Sequence, residues 1–252
     1  MSEASLASSH IFQTMRERLR LEPSTASVPG SLPVLFFGDA LSAQVGTIGL
    51  NPSKFEYIDK NGRILVGQDQ RFCSLEGLGA ESRNEVTDVQ ADEAIKTMRD
   101  YFDHGKPVYG SYFRHLSNFI KGMGMSYVER TATHLDLVQE STDPVWGDLD
   151  FGESTKLLQR DLPFLGWELE FLPQLQAVVC TGATVSEHVR GLVEVEEHES
   201  GTMQRIRWWC GTAKMGNRGL KIGGWNYPLD RPTGLGNDGE VELGQLFARK
   251  LL

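Results

Sequence analysis

The chain has 252 residues, with 25 Lys and Arg against 34 Asp and Glu, a formal charge of −9. Apolar residues make up 40% and charged residues 23%, which supports a packed core and excludes a disordered polymer. The longest apolar runs, Leu32–Phe37 and Ala177–Cys180, fall far short of the ~20 residues of a membrane span, and the acidic total speaks against a polyanionic partner, because phosphate neutralisation draws on Lys and Arg.

Cys73, Cys180 and Cys210 are far apart, with no C-x-x-C pair. A sparse, odd set fits a reducing compartment better than a disulfide framework, and it excludes an all-cysteine four-ligand metal site within one chain. Met1–His10 has no basic start followed by an apolar stretch, so no secretion signal is expected and a cytoplasmic location is the default.

In chain order, residues 1–9 read as a flexible tail. Ile11, Phe12, Met15 and Leu19 recur at helical spacing. A Ser/Pro/Gly connector from Pro23 to Pro33 closes this segment, so residues 1–30 are expected as tail and helix and 31–252 as a single domain. Leu32–Phe37 reads as a strand. Gln44–Leu50 reads as a buried strand that runs into Asn51-Pro52-Ser53, where proline ends the ladder. Residues 54–90 are polar and Gly-rich without periodicity, the pattern of a long functional or disordered loop. Asp88–Phe102 and Tyr112–Lys121 read as helices, Thr133–Val138 as a strand, and 153–173 as a helix or two interrupted by Pro163. Ala177–Cys180 is a further buried strand, followed by a helix from the Thr181-Gly182-Ala183 turn to about Leu192. Val193–His198 and Met203–Cys210 read as a hairpin around residues 199–202, Lys221–Asn226 as a short strand, and Glu240–Leu252 as an amphipathic helix. Strands alternating with helices predict an α/β layered fold with parallel pairing.

Several segments carry chemistry. Gly49–Ser53 (GLNPS) places Asn51 at the carboxyl end of a strand, where open α/β sheets collect ligands; a plain Asn-Pro turn is the bland alternative. Asp136 interrupts an apolar strand, and an ionised carboxylate is costly to bury unless paired or used. The Gly turn at 181–183 suits a phosphate at a helix N-terminus, yet no G-x-G-x-x-G and no Walker lysine accompany it, so close helix–sheet packing is the favoured reading there. Gly223–Gly236 combines Trp225, Tyr227 and Leu229 with prolines and glycines, the makings of a rigid wedge loop or of a core-entering turn. Residues 201–227 carry Arg205, Arg207, Lys214, Arg218 and Lys221 with no acid, interleaved with Trp208 and Trp209, and residues 104–128 carry Lys106, Arg114 and Lys121, again with none. Basic, aromatic, Gly-rich stretches suit a phosphate backbone.

Taken in order over roughly residues 33–235, these segments resemble the uracil-DNA glycosylase superfamily. GLNPS is similar to its water-binding motif (G-I-N-P-G or G-M-N-P-G), with Ser53 in place of the usual Gly. HLDLVQ is similar to its base-reading strand, with Asp136 in place of an asparagine, and AVVCTGATVSEHV to the strand and helix that follow. WNYPL, residues 225–229, falls where the family has a His-Pro-Ser-Pro-Leu or Asn-Pro-Ser-Gly-Leu loop, without its histidine.

The resemblance implies a three-layer α/β/α fold around a mainly parallel four-stranded sheet, and a DNA N-glycosylase acting on a flipped base with no metal or organic cofactor. It assigns Asn51 to the attacking water and Asp136 to base reading. Phe55 or Phe72 would stack on the base, with Tyr57 as a further pocket residue. Trp225, Asn226, Leu229 and Arg231 would meet the DNA, joined by Lys214 and Arg218. Asp39, Glu56, Asp59 and Asp69 are open candidates for a second carboxylate. An aspartate in the base-reading position accepts from a cytosine amine, whereas its protonated form would imitate asparagine. Some superfamily members excise sugar-modified hydroxymethylcytosine in antiphage defence, and a modified cytosine in phage DNA is the expected target. Uracil repair, a non-catalytic modified-DNA-binding protein and a nucleotide hydrolase are the alternatives. DNA is the expected partner, with no membrane or metal, and the chain is expected as a monomer.

Overall fold

A computed structural model describes residues 3–103, 112–216, 218–231 and 233–252. Its elements are α1 (Glu3–Leu19), β1 (Val45–Gly49), α2 (Leu75–Leu78), α3 (Asp88–Arg99), α4 (Tyr112–Gly122), β2 (Ala132–Asp136), α5 (Phe151–Phe171), β3 (Ala177–Thr181), α6 (Ala183–Leu192), β4 (Glu194–Met203), β5 (Ile206–Met215), β6 (Arg218–Trp225) and α7 (Gly236–Leu251).

The strands form one mixed, mostly parallel sheet of six, in the order β2-β1-β3-β6-β5-β4. The four-stranded expectation is therefore corrected. β2, β1, β3 and β6 are parallel, and the β4–β5 hairpin joins the same sheet because β5 pairs antiparallel with β6 from Trp208↔Trp225 to Met215↔Arg218. All residues of β1, β2 and β3 are buried, as the central strands of a parallel sheet must be when both faces are covered.

Other boundaries also differ from expectation. Much of the expected N-terminal tail belongs to α1, whose Ile11, Met15 and Leu19 are buried in the common core. Leu32–Phe37 is buried throughout but builds no ladder; Phe37 exchanges two backbone hydrogen bonds with His134 as a single bridge, and Val34 N–H donates to Gln139 O. Burial alone made that run apolar. Pro163 lies inside a continuous α5 rather than splitting it. The hairpin turns at Gln204-Arg205, not at 199–202. Gln204 adopts φ +50, the left-handed backbone that a two-residue turn demands. Gly201 is instead paired with Trp208, where a Cβ would stand 2.6 Å from the indole. That glycine makes room for a ring and does not turn the chain. Residues 54–86 hold only single turns of helix, in keeping with a long loop.

Candidate functional site

The register of the parallel strands brings three chain ends to one edge. Gly49 pairs with Asp136, and Ile48 with Cys180, one residue before Thr181. The ladder continues past β1, with Leu137 and Val138 N–H donating to Gly49 and Leu50 carbonyls. Around this edge lies a cavity of about 340 Å³, lined among others by Asn51, Glu56, His134, Asp136, Thr181 and Arg231, at the small end of the ~300–1,000 Å³ of ligand pockets.

Asn51 is fixed by its amide nitrogen. Nδ2 donates to the carbonyls of Pro52 (3.1 Å) and Glu140 (3.3 Å) and to Thr142 Oγ1 (3.2 Å). With the donor end committed, Oδ1 is the acceptor Asn51 presents. Two of these anchors, Glu140 and Thr142, belong to the segment 137–142, buried throughout and held by ions. Arg83 donates to both oxygens of Glu140 (2.7 and 2.8 Å), and Arg160 bridges Glu140 and Asp161. Burial pushes the Glu140 carboxyl up, but Arg83, Arg160 and Arg18 outweigh it and leave the group below its ordinary value.

Asp136 is 3% exposed, with Oδ1 3.4 Å from His134 Nε2. Burial raises its pKa, and His134 offsets this only in part. The His134 ring stands among Phe37, Tyr112 and Phe113, with centroids 5.3 to 5.6 Å away. Its Nδ1 lies 2.8 Å from Thr47 Oγ1, itself 2.7 Å from Tyr127 Oη. A Cβ on Gly49 would lie 2.5 Å from Asp136 Oδ1 and 2.7 Å from His134 Nε2, so the glycine of the GLNPS motif is what admits this pair.

Glu56, 2% exposed, is the second carboxyl in the wall. Burial, reinforced by Asp136, pushes it up to about 8 against Arg71 and the Tyr101 hydroxyl, which donates to Oε1 at 3.0 Å. Of the four carboxylates open at the sequence level it alone reaches the cavity. Asp39 is held by Arg99 and Arg130, Asp59 caps the turn at Asn61 and Arg63, and Asp69 is exposed in a 3-10 turn.

Other expected residues lie elsewhere. Phe72 is buried and stacked on Tyr101, and the buried Tyr57 donates to Leu32 O, so neither reaches the cavity. Phe55 is exposed outside the wall, under Lys54. The aromatic walls are Phe37, Tyr112, Phe113 and Trp146. Trp225 is fully buried against Phe119 and Phe247, where β6 packs on α7, and Leu229 is 4% exposed within the core; both are core, not wedge. Asn226 braces the hairpin by accepting from Arg207 N–H through Oδ1. Trp208 and Trp209 are buried as well.

The basic stretch divides by pole. Arg207 flanks Trp208, which pairs with Trp225 at the cavity end of β6, whereas Lys214 pairs with Gly219 at the other end. Arg218, seven residues before Trp225, stands about 23 Å away at ~3.3 Å per residue. It donates to three carbonyls at the C-terminal end of α5, Leu169, Glu170 and Leu172. Lys214 and Arg218 are therefore remote from the cavity, while exposed Arg231 stands on its rim. Lys106 of the second basic stretch lies outside the described residues.

The sequence reading missed His134, although the two-residue period of a strand puts it on the same face as Asp136. It also missed Tyr112 and Phe113, whose helical spacing is equally that of a core helix. Among the described residues no group of three His, Cys, Asp or Glu side chains is placed to hold a metal ion, and no helix is long and apolar enough to cross a membrane. The chain matches no protein-family model and no curated protein.

Proposed function

We propose that the protein is a DNA glycosylase of the uracil-DNA glycosylase type, with that family's three-layer arrangement. It hydrolyses the N-glycosidic bond of a flipped, modified cytosine, glucosylated hydroxymethylcytosine of phage DNA being the favoured target, and leaves an abasic site. The observation that carries this reading is the meeting of Asn51 and Asp136, from the ends of adjacent strands, in one aromatic-walled cavity. A base stacks on such walls, and a flipped nucleotide is read through its hydrogen-bonding edge. Asn51, tied down through Nδ2, holds the attacking water through Oδ1 while positive charge builds on the sugar. Arg231 at the rim contacts the strand that delivers the base.

One observation favours a second reading, excision of uracil in repair. A buried Asp136 with a raised pKa offers one donor and one acceptor, the pattern of an asparagine.

The test is to incubate the protein with duplexes carrying uracil, cytosine or glucosylated hydroxymethylcytosine and to score abasic sites by alkaline cleavage. Cleavage of the glucosylated duplex is expected, with uracil cut more slowly and plain cytosine spared. Asn51→Ala should lower the single-turnover rate by about 100-fold or more, the cost of misplacing a reacting group. Binding without cleavage on every duplex would leave a recognition protein, and a full rate in Asn51→Ala would remove the water assignment.

A further inference from the structure

We propose that Asp136 is the general acid of the site, handing its proton to ring nitrogen N3 of a cytosine-type base, with His134 and Thr47 holding the carboxyl in position. This rests on the glycosylase reading and takes it from recognition of the base to its activation as a leaving group.

The surroundings of Asp136 favour the protonated acid. Its ion-pair contact is His134, on the same strand. Burial pushes up the carboxyls of Glu56 in the cavity wall and of Glu168 in α5, as it does that of Asp136, and the Asp136 charge adds to the rise of both. Tyr112 of α4 faces it and is likewise raised by burial and by Asp136. Lys54, Asp230 and Arg231 complete the charged groups of the cavity, and Lys54 is engaged with Asp143 at 2.7 Å. Burial leaves the Asp136 carboxyl above its ordinary value.

Thr47 Oγ1 lies 2.7 Å from Tyr127 Oη and 2.8 Å from His134 Nδ1, against 3.4 Å to Thr133 O; in the proposed arrangement Tyr127 donates to Thr47 and Thr47 to Nδ1. His134 then carries its proton on Nε2, directed at Asp136 Oδ1, in the way a second partner sets an imidazole tautomer. Oδ1 is the acceptor, and the acid's own proton sits on Oδ2.

A carboxylic acid in this state matches the N3/N4 edge of cytosine. Its carbonyl accepts from the N4 amine and its hydroxyl donates to N3. It also fits uracil, accepting from N3–H and donating to O4. Binding alone therefore does not separate the two bases, but the proton does. N3 of cytosine is a basic lone pair, whereas N3 of uracil already holds a hydrogen. As the C1′–N1 bond breaks, its electron pair moves onto the base, N3 takes the Asp136 proton, and the base departs neutral instead of as an anion. Water held by Asn51 forms the new C1′–O bond and releases its proton to solvent, and solvent re-protonates Asp136 as the base leaves. The sum is one water consumed and one neutral base released.

The test is single-turnover cleavage of glucosylated hydroxymethylcytosine duplex and uracil duplex across pH, with wild type, Asp136→Asn and Thr47→Val. In wild type the cytosine-type rate should be level at low pH and fall about tenfold per pH unit once Asp136 ionises, and the uracil rate, which loses a hydrogen bond but no transferred proton, should fall less steeply. Asp136→Asn keeps the size and both hydrogen-bonding roles without a transferable proton. Its cytosine-type rate should fall by about 100-fold or more and lose the limb, a larger loss than its uracil rate shows. Thr47→Val should shift the limb along the pH axis, which a purely structural role would not do. Cytosine-type cleavage with no alkaline limb, or undiminished in Asp136→Asn, overturns the proton transfer and leaves the glycosylase reading standing. Cleavage confined to uracil overturns the proposal as well, and abasic sites on no duplex overturn both. Should Asp136→Asn fail to fold, the wild-type limb decides alone.

Discussion

A carboxyl taken out of water keeps its proton to higher pH, and Glu56 does so at about 8 against an ordinary 4.5. Between those values the folded chain holds a proton that the unfolded chain has released. Its contribution to stability is complete below the lower value and is lost as pH rises to the upper one, by up to about 1.4 kcal/mol per pH unit. Asp136 and Glu168 are raised as well and act in the same direction. Glu56→Gln, uncharged at every pH, should therefore lose less Tm than wild type between about pH 5 and about pH 8.5. Thermal unfolding at the two pH values checks this, and an unchanged difference would place the proton elsewhere. At this scale the sequence was legible where a residue broke its local pattern. Asn51 before a proline and Asp136 inside an apolar strand both declared themselves. His134 did not, because a histidine among apolar neighbours is as well suited to a core, and Glu56 was one of four equivalent carboxylates until the loop's path was known.

The segment 137–142 shows how an element without regular structure can position a site. It is buried from end to end, so its backbone groups need partners within the protein, and Asn51 Nδ2 satisfies one of them. Its side chains meet Arg18, Arg83 and Arg160, drawn from α1, the 83–85 turn and α5. Glu140→Ala would leave Arg83, itself 2% exposed, as a buried unpaired charge, a loss of about 3–5 kcal/mol. Urea denaturation should show that drop, and a change below about 1 kcal/mol would mean that the ion cluster is not what holds the segment. β1, β2 and β3 could be read from short apolar runs next to turn residues. The hairpin's turn could not, because Gly201 carries the usual sign of a turn while serving the Trp208 ring, a need visible only once β4 lies against β5. Leu32–Phe37 misled for the complementary reason: apolarity reports burial, and burial does not require a ladder.

Over the whole molecule, the net charge of −9 coexists with cations sorted by position. Arg207 and Arg231 belong to the cavity end, Lys214 and Arg218 to the opposite one. Each phosphate neutralised contributes about −0.9 to the slope of log K against log salt on duplex DNA. Arg207→Ala and Arg231→Ala should each weaken binding and reduce that slope by about one, whereas Lys214→Ala should leave both unchanged. Titrations at several salt concentrations make the measurement, and a loss of slope in Lys214→Ala would count against the DNA path that the glycosylase reading proposes at the cavity end. A sequence shows an acid-free stretch but not which end of a strand its members occupy. That is why Arg207, Lys214 and Arg218 read as one surface and fold onto two ends.

The three ends that meet at the cavity are spaced by the sheet itself. Adjacent strands lie about 4.8 Å apart, and β1, β2 and β3 are buried on both faces, so no hinge or lid sets the separation of Gly49, Asp136 and Thr181. Such strands open only with the most stable part of a protein. Warming therefore does not loosen this constellation by degrees. Its geometry persists while the sheet is intact and fails in the same cooperative step, so loss of the cavity and global melting coincide.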